Sequence, residues 1–248
     1  MQDRKVMIVE NKPISVRLWK MELYAPHIAC CVKGGQFVML EVSPTYDPMG
    51  RRAFAVADVR KENITIFYET VGRGTYLMAN MKKGQSLRVF GPLGKGLFTF
   101  EGEKHLFIGG GVGLAGLTLH AKRAMKEGKE VMLIYGAKSA KDLGMKSWLE
   151  EENIPYIIYT EDGTEGRKGK VTEALLGFDN SWTVHACGPK AMLKAIKEEG
   201  KKFKLYLSLE SRMACGWGVC LGCVVKTVKG YARVCYEGPV FKAEEVFI

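Results

Sequence analysis

Four of the seven cysteines fall within 21 residues, at Cys215, Cys220, Cys223 and Cys235. Their spacing, C-x4-C-x2-C-x11-C, begins with the run by which plant-type [2Fe-2S] centres are ligated. Iron takes thiolates, and a loop that wraps such a cluster must point backbone N–H groups at its sulfurs. Gly216, Gly218 and Gly222 supply the unusual backbone angles this needs. The alternative is a structural zinc site, which usually shows two C-x2-4-C pairs. The x4 spacing and the interleaved glycines favour iron and sulfide. Cys30 and Cys31 have no partner motif and read as ordinary buried residues. An odd number of cysteines argues against a disulfide framework.

A chain of 248 residues is too long for one ordinary core and fits two domains plus a small module. With 47% hydrophobic residues it is expected to pack as a globular protein. No apolar run approaches the roughly 20 residues that span a bilayer. The stretch Met1-Gln2-Asp3-Arg4-Lys5 lacks the apolar core of a signal peptide. A cytoplasmic protein without membrane insertion is therefore expected. The net charge of +10 has two readings. One is a Lys-rich solvated surface of the kind found in heat-stable proteins. The other is a basic face that docks an acidic partner. The charges are scattered in Lys-Glu mixtures and no nucleic-acid motif is present, so nucleic acid is not an expected partner.

Residues 1–100 read as all-β. Short apolar runs at Lys5–Val9, Phe37–Val42, Ile64–Thr70 and Ser86–Phe90 are separated by turn signals, which predicts a small antiparallel barrel. A short helix is expected over Thr75–Ala79. Over 101–207 the pattern changes. β-type runs at Leu106–Ile108, Val131–Tyr135, Tyr156–Tyr159, Thr183–Ala186 and Leu205–Leu209 alternate with helix-like segments. Leu114, Leu117, Ala121 and Ala124 share one helical face, as do Met192, Ala195 and Ile196. This alternation predicts a doubly wound parallel sheet. Residues 208–248, rich in Cys and Gly, form a third module.

Further motifs lie in the first two regions. Gly109-Gly110-Gly111-Val112-Gly113 follows a strand and opens a helix, a setting in which backbone can approach a pyrophosphate and the helix N-terminus favours its charge. It is not G-x-G-x-x-G, and a plain strand-to-helix turn is the competing reading. Its place at the head of the first βα unit favours a dinucleotide. Cys187-Gly188-Pro189 also joins a strand to a helix. It would pack on a nicotinamide ring, or simply be a buried Cys before a helix-starting Pro. Arg51-Arg52-Ala53-Phe54-Ala55 and Gly72-Arg73-Gly74-Thr75 offer arginines and a helix N-terminus, two ends of a flavin site. Taken singly, each is more often a solvated arginine or a simple cap. His27, His105, His120 and His185 are scattered and read as structural. No paired carboxylates or nucleophile–base set is present, so no catalytic acid or base is assigned.

With these motifs in this order, the sequence resembles the electron-transfer subunits of type B dihydroorotate dehydrogenase, within the ferredoxin–NADP reductase superfamily. The resemblance runs along nearly the whole chain. It rests on Arg51–Ala55, on Tyr68-Glu69-Thr70-Val71-Gly72-Arg73-Gly74-Thr75, on Gly91-Pro92-Leu93-Gly94, on Gly109–Gly113 and on Ala186–Pro189. Its most specific part is Glu210-Ser211-Arg212-Met213-Ala214-Cys215 through Cys223, with Val234–Phe241.

The resemblance implies FAD in the barrel, NAD(H) on the second domain and a [2Fe-2S] cluster facing a partner. That partner would be an FMN-containing dihydroorotate dehydrogenase catalytic subunit, in a heterotetramer of two plus two. Carried over by position, Arg52 would hold the FAD phosphates, and Gly74 and Thr75 its pyrophosphate. Ala53, Phe54 and Ala55, with Phe67, Tyr68 and Glu69, would line the flavin. Nicotinamide passes electron pairs and a cluster passes single electrons, so the flavin belongs between them. Three positions depart from the family pattern: Ala53 stands for Pro, Ala55 for Ser, and Glu69 where Arg is common. Ala115-Gly116 stands where Pro-Pro is usual. A related subunit of a sulfhydrogenase or of a ferredoxin:NAD(P) oxidoreductase is the nearest alternative. An iron–sulfur redox-sensing module with a decayed flavin site is an alternative of another class.

Overall fold

Val6 and Ile8 are buried while the alternate residues Lys5 and Met7 are exposed, and this period of two sets the first strand. The computed structural model describes all 248 residues, Met1–Ile248. The first region contains β1 (Gln2–Pro13), β2 (Leu18–Tyr24), β3 (Phe37–Glu41), β4 (Arg51–Ala55), β5 (Asp58–Arg60), β6 (Asn63–Glu69) and β7 (Ser86–Leu93). Two short helices, α1 (Pro26–Ala29) and α2 (Arg73–Ala79), accompany them. All pairings are antiparallel, in the order β4-β3-β7-β1-β2-β6-β5. The sheet curls until its edges are joined by the chain itself. The Val56 N–H donates to Gln36 O beyond β3, and the next residue, Ala57, donates to Thr65 O in β6. Its interior is apolar, with Ile8, Met21, Leu40, Ile64 and Ile66 buried.

The second region is built from β8 (Lys104–Gly110), α3 (Ala115–Lys126), β9 (Glu130–Ala137), α4 (Lys146–Glu151), β10 (Tyr156–Thr160), β11 (Arg167–Lys168), β12 (Trp182–Cys187), α5 (Lys190–Glu199) and β13 (Lys204–Ser208). These strands are parallel, in the order β11-β10-β9-β8-β12-β13. Alternate residues serve opposite faces. Phe107, Leu133 and Tyr135 pack under α3 and α4, while Leu106, Ile108 and Ile134 pack under α5 and the 3-10 turn at Val171–Gly177. Helices therefore cover both faces, as doubly wound sheets require. On α5 the buried positions are Leu193 and Ile196, with Met192 and Ala195 at the margin of that face. No helix is long and apolar enough to cross a membrane.

The cysteine-rich region contributes the hairpin β14 (Val224–Thr227) and β15 (Gly230–Arg233), then β16 (Val240–Lys242). β16 pairs antiparallel with β13 and so adds one strand of opposite sense to the parallel sheet. Next to it, Pro239 bridges to Gly96 in the connection between the first two regions.

Barrel and sheet are fastened together by polar contacts. The Thr118 hydroxyl donates to Ala57 O at 2.7 Å. Lys122 lies 2.6 Å from both Asp58 and Glu152, and Arg60 also pairs with Glu152. Asp58 is 1% exposed, and two cations meet its carboxylate, Lys122 at 2.6 Å and Arg60 at 3.3 Å.

Two expectations are corrected. Cys30 and Cys31 are exposed rather than buried, because they fall at the surface end of α1. The histidines are scattered only in sequence. His105 on β8, His120 on α3 and His185 on β12 are brought together and fully buried.

Candidate functional site

Parallel strands end together, and the crevice beyond their carboxyl ends is where a sheet of this kind binds ligands. Here the ends of β8, β12 and β13 face the barrel strands β4 and β6 across a cleft of about 400 Å³. Ala53, Phe54 and Ala55 of β4 and Phe67, Tyr68 and Glu69 of β6 line the barrel side. Val112, Cys187 and Glu210 line the sheet side.

At the outer end of the barrel side, α2 begins beside Arg52. Thr75 folds back on its own turn. Its hydroxyl accepts from the N–H groups of Val71, at 3.0 Å, and Gly72, at 3.2 Å. The Arg52 side chain lies against Gly74, so close that a Cβ there would sit 2.8 Å from Arg52 Nε. Arg52 Nη1 is steadied by the carbonyls of Gly50, at 2.9 Å, and Met49, at 3.2 Å. A guanidinium beside the first turn of a helix is a fitting donor set for phosphate oxygens. Deeper in, Tyr68 donates to Asn11 Oδ1 at 2.9 Å and packs between Trp19 and Phe54. Burial pushes its phenol well above the usual value, so it stays neutral.

On the sheet side the glycine run is a packing device as well as a loop. Gly109 and Gly110 end β8, and Gly111–Leu114 form a 3-10 turn. A Cβ on Gly113 would lie 2.6 Å from Gly188 Cα, so the two turns touch backbone to backbone. Pro189 closes the same contact, 3.0 Å from where a Gly110 Cβ would stand. Of the residues Gly109–Gly113, only Val112 lines the cleft, and of Cys187, Gly188 and Pro189, only Cys187 does. Gly116 brings the two sides together. A Cβ there would be 3.1 Å from Cys187 Sγ and 3.9 Å from Ala55 Cβ. Burial pushes the Cys187 thiol far up, so it is a neutral wall and not a nucleophile.

The cysteine loop fits a two-iron centre. Gly216 and Gly218 have φ of 67° and 82°, and Leu221 shares that left-handed region at 55°. These turns aim main-chain donors at sulfur: Trp217 N–H at Cys215 (3.3 Å), Gly218 N–H at Cys235 (3.1 Å) and Cys235 N–H at Cys223 (3.4 Å). Burial pushes the Cys215 thiol up, but the amides of Cys220, Trp217 and Val219 outweigh it and bring it down to about 6. Cys235 is instead pushed up to about 12 by burial and by its neighbour Cys223. The thiols meet in pairs, Cys215 with Cys220 and Cys223 with Cys235, and together would supply the four thiolates a [2Fe-2S] cluster takes. The loop rests on β3, the strand next to the cleft-lining β4. A Gly216 Cβ would lie 2.7 Å from Met39, which pairs across β3–β4 with Ala53.

The residue absent from the sequence-level site is Glu210. It follows the end of β13 and lines the cleft opposite Glu69. Although the cleft leaves it open to solvent, loss of surrounding water and then the Glu69 charge push its carboxyl up. The available signal was positional: Glu210 lies two residues past a strand that ends beside Cys187.

A flavin-reductase barrel joined to a nucleotide sheet, with a cysteine loop on the barrel wall, defines an oxidoreductase that handles electrons in pairs and singly. Residues 107–198 match the oxidoreductase NAD-binding domain family, and residues 210–247 match the iron-sulfur cluster binding domain of dihydroorotate dehydrogenase B. The chain is 56% identical over 243 residues to the dihydroorotate dehydrogenase B (NAD(+)) electron transfer subunit homolog of Aquifex aeolicus, covering 97% of each. It is 37% identical over 258 residues to the electron transfer subunit from Bacillus velezensis, covering 99% of each. Among solved structures, an NADH-dependent reduced ferredoxin-NADP oxidoreductase superposes with a TM-score of 0.87 at 27% identity, over 98% of this chain and 89% of that one. Phthalate dioxygenase reductase shares the fold, with a TM-score of 0.71 at 13% identity, over 91% and 87% of the two chains. The chain belongs to the family of dihydroorotate dehydrogenase B electron transfer subunits.

Proposed function

We propose that this chain carries electrons between NAD(H) and an FMN-containing dihydroorotate dehydrogenase catalytic subunit, using FAD and a [2Fe-2S] cluster, in pyrimidine biosynthesis. The observation that carries the reading is the shared wall. Ala53 lines the cleft, and its cross-strand partner Met39, on the same face of the β3–β4 pair, lies against the cysteine loop, so one pair of neighbouring residues links the two sites. FAD held in the cleft would supply both hydride exchange with nicotinamide and single-electron exchange with the cluster.

The residues of the chain hold and orient. Arg52, Gly74 and Thr75 take the FAD phosphates. Ala53–Ala55 and Phe67–Glu69 flank the ring. Gly109–Gly113 and Cys187–Pro189 receive NAD(H), with Cys187 and Val112 as its apolar wall. Cys215, Cys220, Cys223 and Cys235 ligate the cluster. None acts as an acid or base. Residues 1–100, 101–207 and 208–248 divide these tasks. Exposed Trp217, Val219, Leu221 and Tyr231 surround the cysteine loop, an apolar rim suited to a partner subunit. The assembly is a heterotetramer of two plus two in the cytoplasm.

The test is reconstitution. The isolated chain should reduce artificial acceptors from NADH but leave dihydroorotate untouched, and dihydroorotate-dependent NAD+ reduction should appear when the catalytic subunit is added. Turnover of dihydroorotate by the pure chain, or no coupling in the mixture, would overturn the proposal.

A further inference from the structure

The three converging histidines lie on the far side of β8 and β12 from α5, under α3, and take no part in the electron-carrying site. Thr183 pairs with His105 and His185 with Phe107, so His105 and His185 project from the same face of adjacent strands. His120 comes down on them from α3. All three are at most 1% exposed. One ring nitrogen from each lies within 4.8 Å of the other two. Phe98 and Phe107 wall the group, and Tyr206 stacks on His185 with ring centroids 5.6 Å apart.

The hydrogen bonds fix where the protons are. His105 Nε2 faces the Gly102 carbonyl at 3.3 Å, and His120 Nε2 faces the Thr99 carbonyl at 2.9 Å. A carbonyl only accepts, so both rings carry hydrogen on Nε2 and leave Nδ1 as a bare lone pair. His105 Nδ1 meets His185 Nε2 at 3.0 Å. His185 must be the donor there, which leaves its buried Nδ1 with no partner at all. An ion held by His105 Nδ1 would replace this hydrogen bond and meet His185 at Nε2, whose hydrogen would pass to Nδ1.

We propose that His105, His120 and His185 form a structural site for one divalent zinc-class metal ion. Imidazole nitrogen is a preferred ligand of that class, and three histidines with a water in the fourth position are an established donor set for zinc. Two of the rings already present the arrangement of metal-bound histidines, in which the distal N–H is anchored on a main-chain carbonyl. Coordination near 2.0–2.1 Å in a tetrahedron sets the nitrogens ~3.3 Å apart, within reach of a small ring movement from the observed spacing. Burial keeps the rings neutral, the form that coordinates; His120 is pushed down to about 4 by burial. The aromatic enclosure denies access to substrates, so the ion ties α3 to β8 and β12 and performs no chemistry.

The test is metal analysis of the full-length holoprotein, made in zinc-supplemented medium and washed with chelator. About one zinc per chain is expected beyond the cluster iron. Zinc-edge X-ray absorption should show a nitrogen or oxygen shell with imidazole scattering and no sulfur. The zinc should persist in Cys220→Ser, which loses its iron, and fall at least fivefold in His120→Gln, whose amide still reaches the Thr99 carbonyl. Absence of zinc, a sulfur shell, or undiminished zinc in folded His120→Gln would overturn the site. The absorption measurement on unaltered protein decides the matter even where the variant does not fold.

Discussion

Adding one methyl group at Gly74 tests how the phosphates of FAD are held. A Cβ on Gly74 would stand 2.8 Å from Arg52 Nε and 3.2 Å from its Cζ and Nη2. The atoms it displaces are the far end of a flexible side chain, so the barrel itself should tolerate Gly74→Ala. Within α2, alanine even favours the helix by a few tenths to about 1 kcal/mol. The cost falls on where the guanidinium points. A hydrogen bond to a charged group contributes ~1.5–3 kcal/mol, and losing half to most of one raises the FAD dissociation constant by roughly 5- to 50-fold. Fluorescence titration of flavin-stripped protein measures this, with riboflavin as the control. Riboflavin lacks phosphate, and its affinity should stay within about twofold. Arg52→Gln should lose at least as much as Gly74→Ala. Combining the two should add less than about twofold, because both act through one contact. Equal losses in both backgrounds, or unchanged FAD affinity in Gly74→Ala, would show that Arg52 is not the phosphate ligand.

Cys220→Ser should abolish bound iron, measured by metal analysis, while leaving a flavin that NADH still bleaches. Ala55→Ser restores a hydroxyl beside Gly116 and Cys187, and should tighten flavin or speed its reduction by up to about tenfold, read by stopped flow; no change in either would remove Ala55 from the ring edge. Lys122→Met leaves the buried Asp58 with Arg60 as its one remaining cation and should cost roughly 1–3 kcal/mol in denaturant unfolding. Burial alone would push the Glu152 carboxyl up, but Lys122 and Arg60 outweigh it and hold it below its usual 4.5. Its contribution is therefore complete above about pH 4.5 and lost as pH falls through the lowered value, so Glu152→Gln should be less stable than unaltered protein at neutral pH and the gap should close in acid, read by denaturant unfolding across pH.

The cysteine loop is legible in the sequence because its ligands and its glycines are local: everything from Cys215 to Cys223 lies within nine residues. The strand-helix alternation after residue 101 is legible for the same reason. What escapes is set by topology. Glu210 joins the cleft only because β13 lies beside β12, and the ion pairs of Asp58 and Glu152 span 94 residues through Lys122. The three histidines meet through β8, α3 and β12, a convergence that no spacing encodes. The exposure of Cys30 and Cys31 reflects the position of a four-residue helix at the barrel surface, which their apolar neighbours conceal.

The placement of β16 makes the cysteine module a guard against self-association. β13 would otherwise be the border of the large sheet, with the main-chain groups of Tyr206, Leu207 and Ser208 unpaired. Such an apolar margin is a template for strands of other molecules. Oxidative damage that dismantles the cluster and loosens Val240–Lys242 would thus do more than interrupt electron flow: it would uncover an adhesive border, and inactivated chains would be removed from solution by stacking on one another.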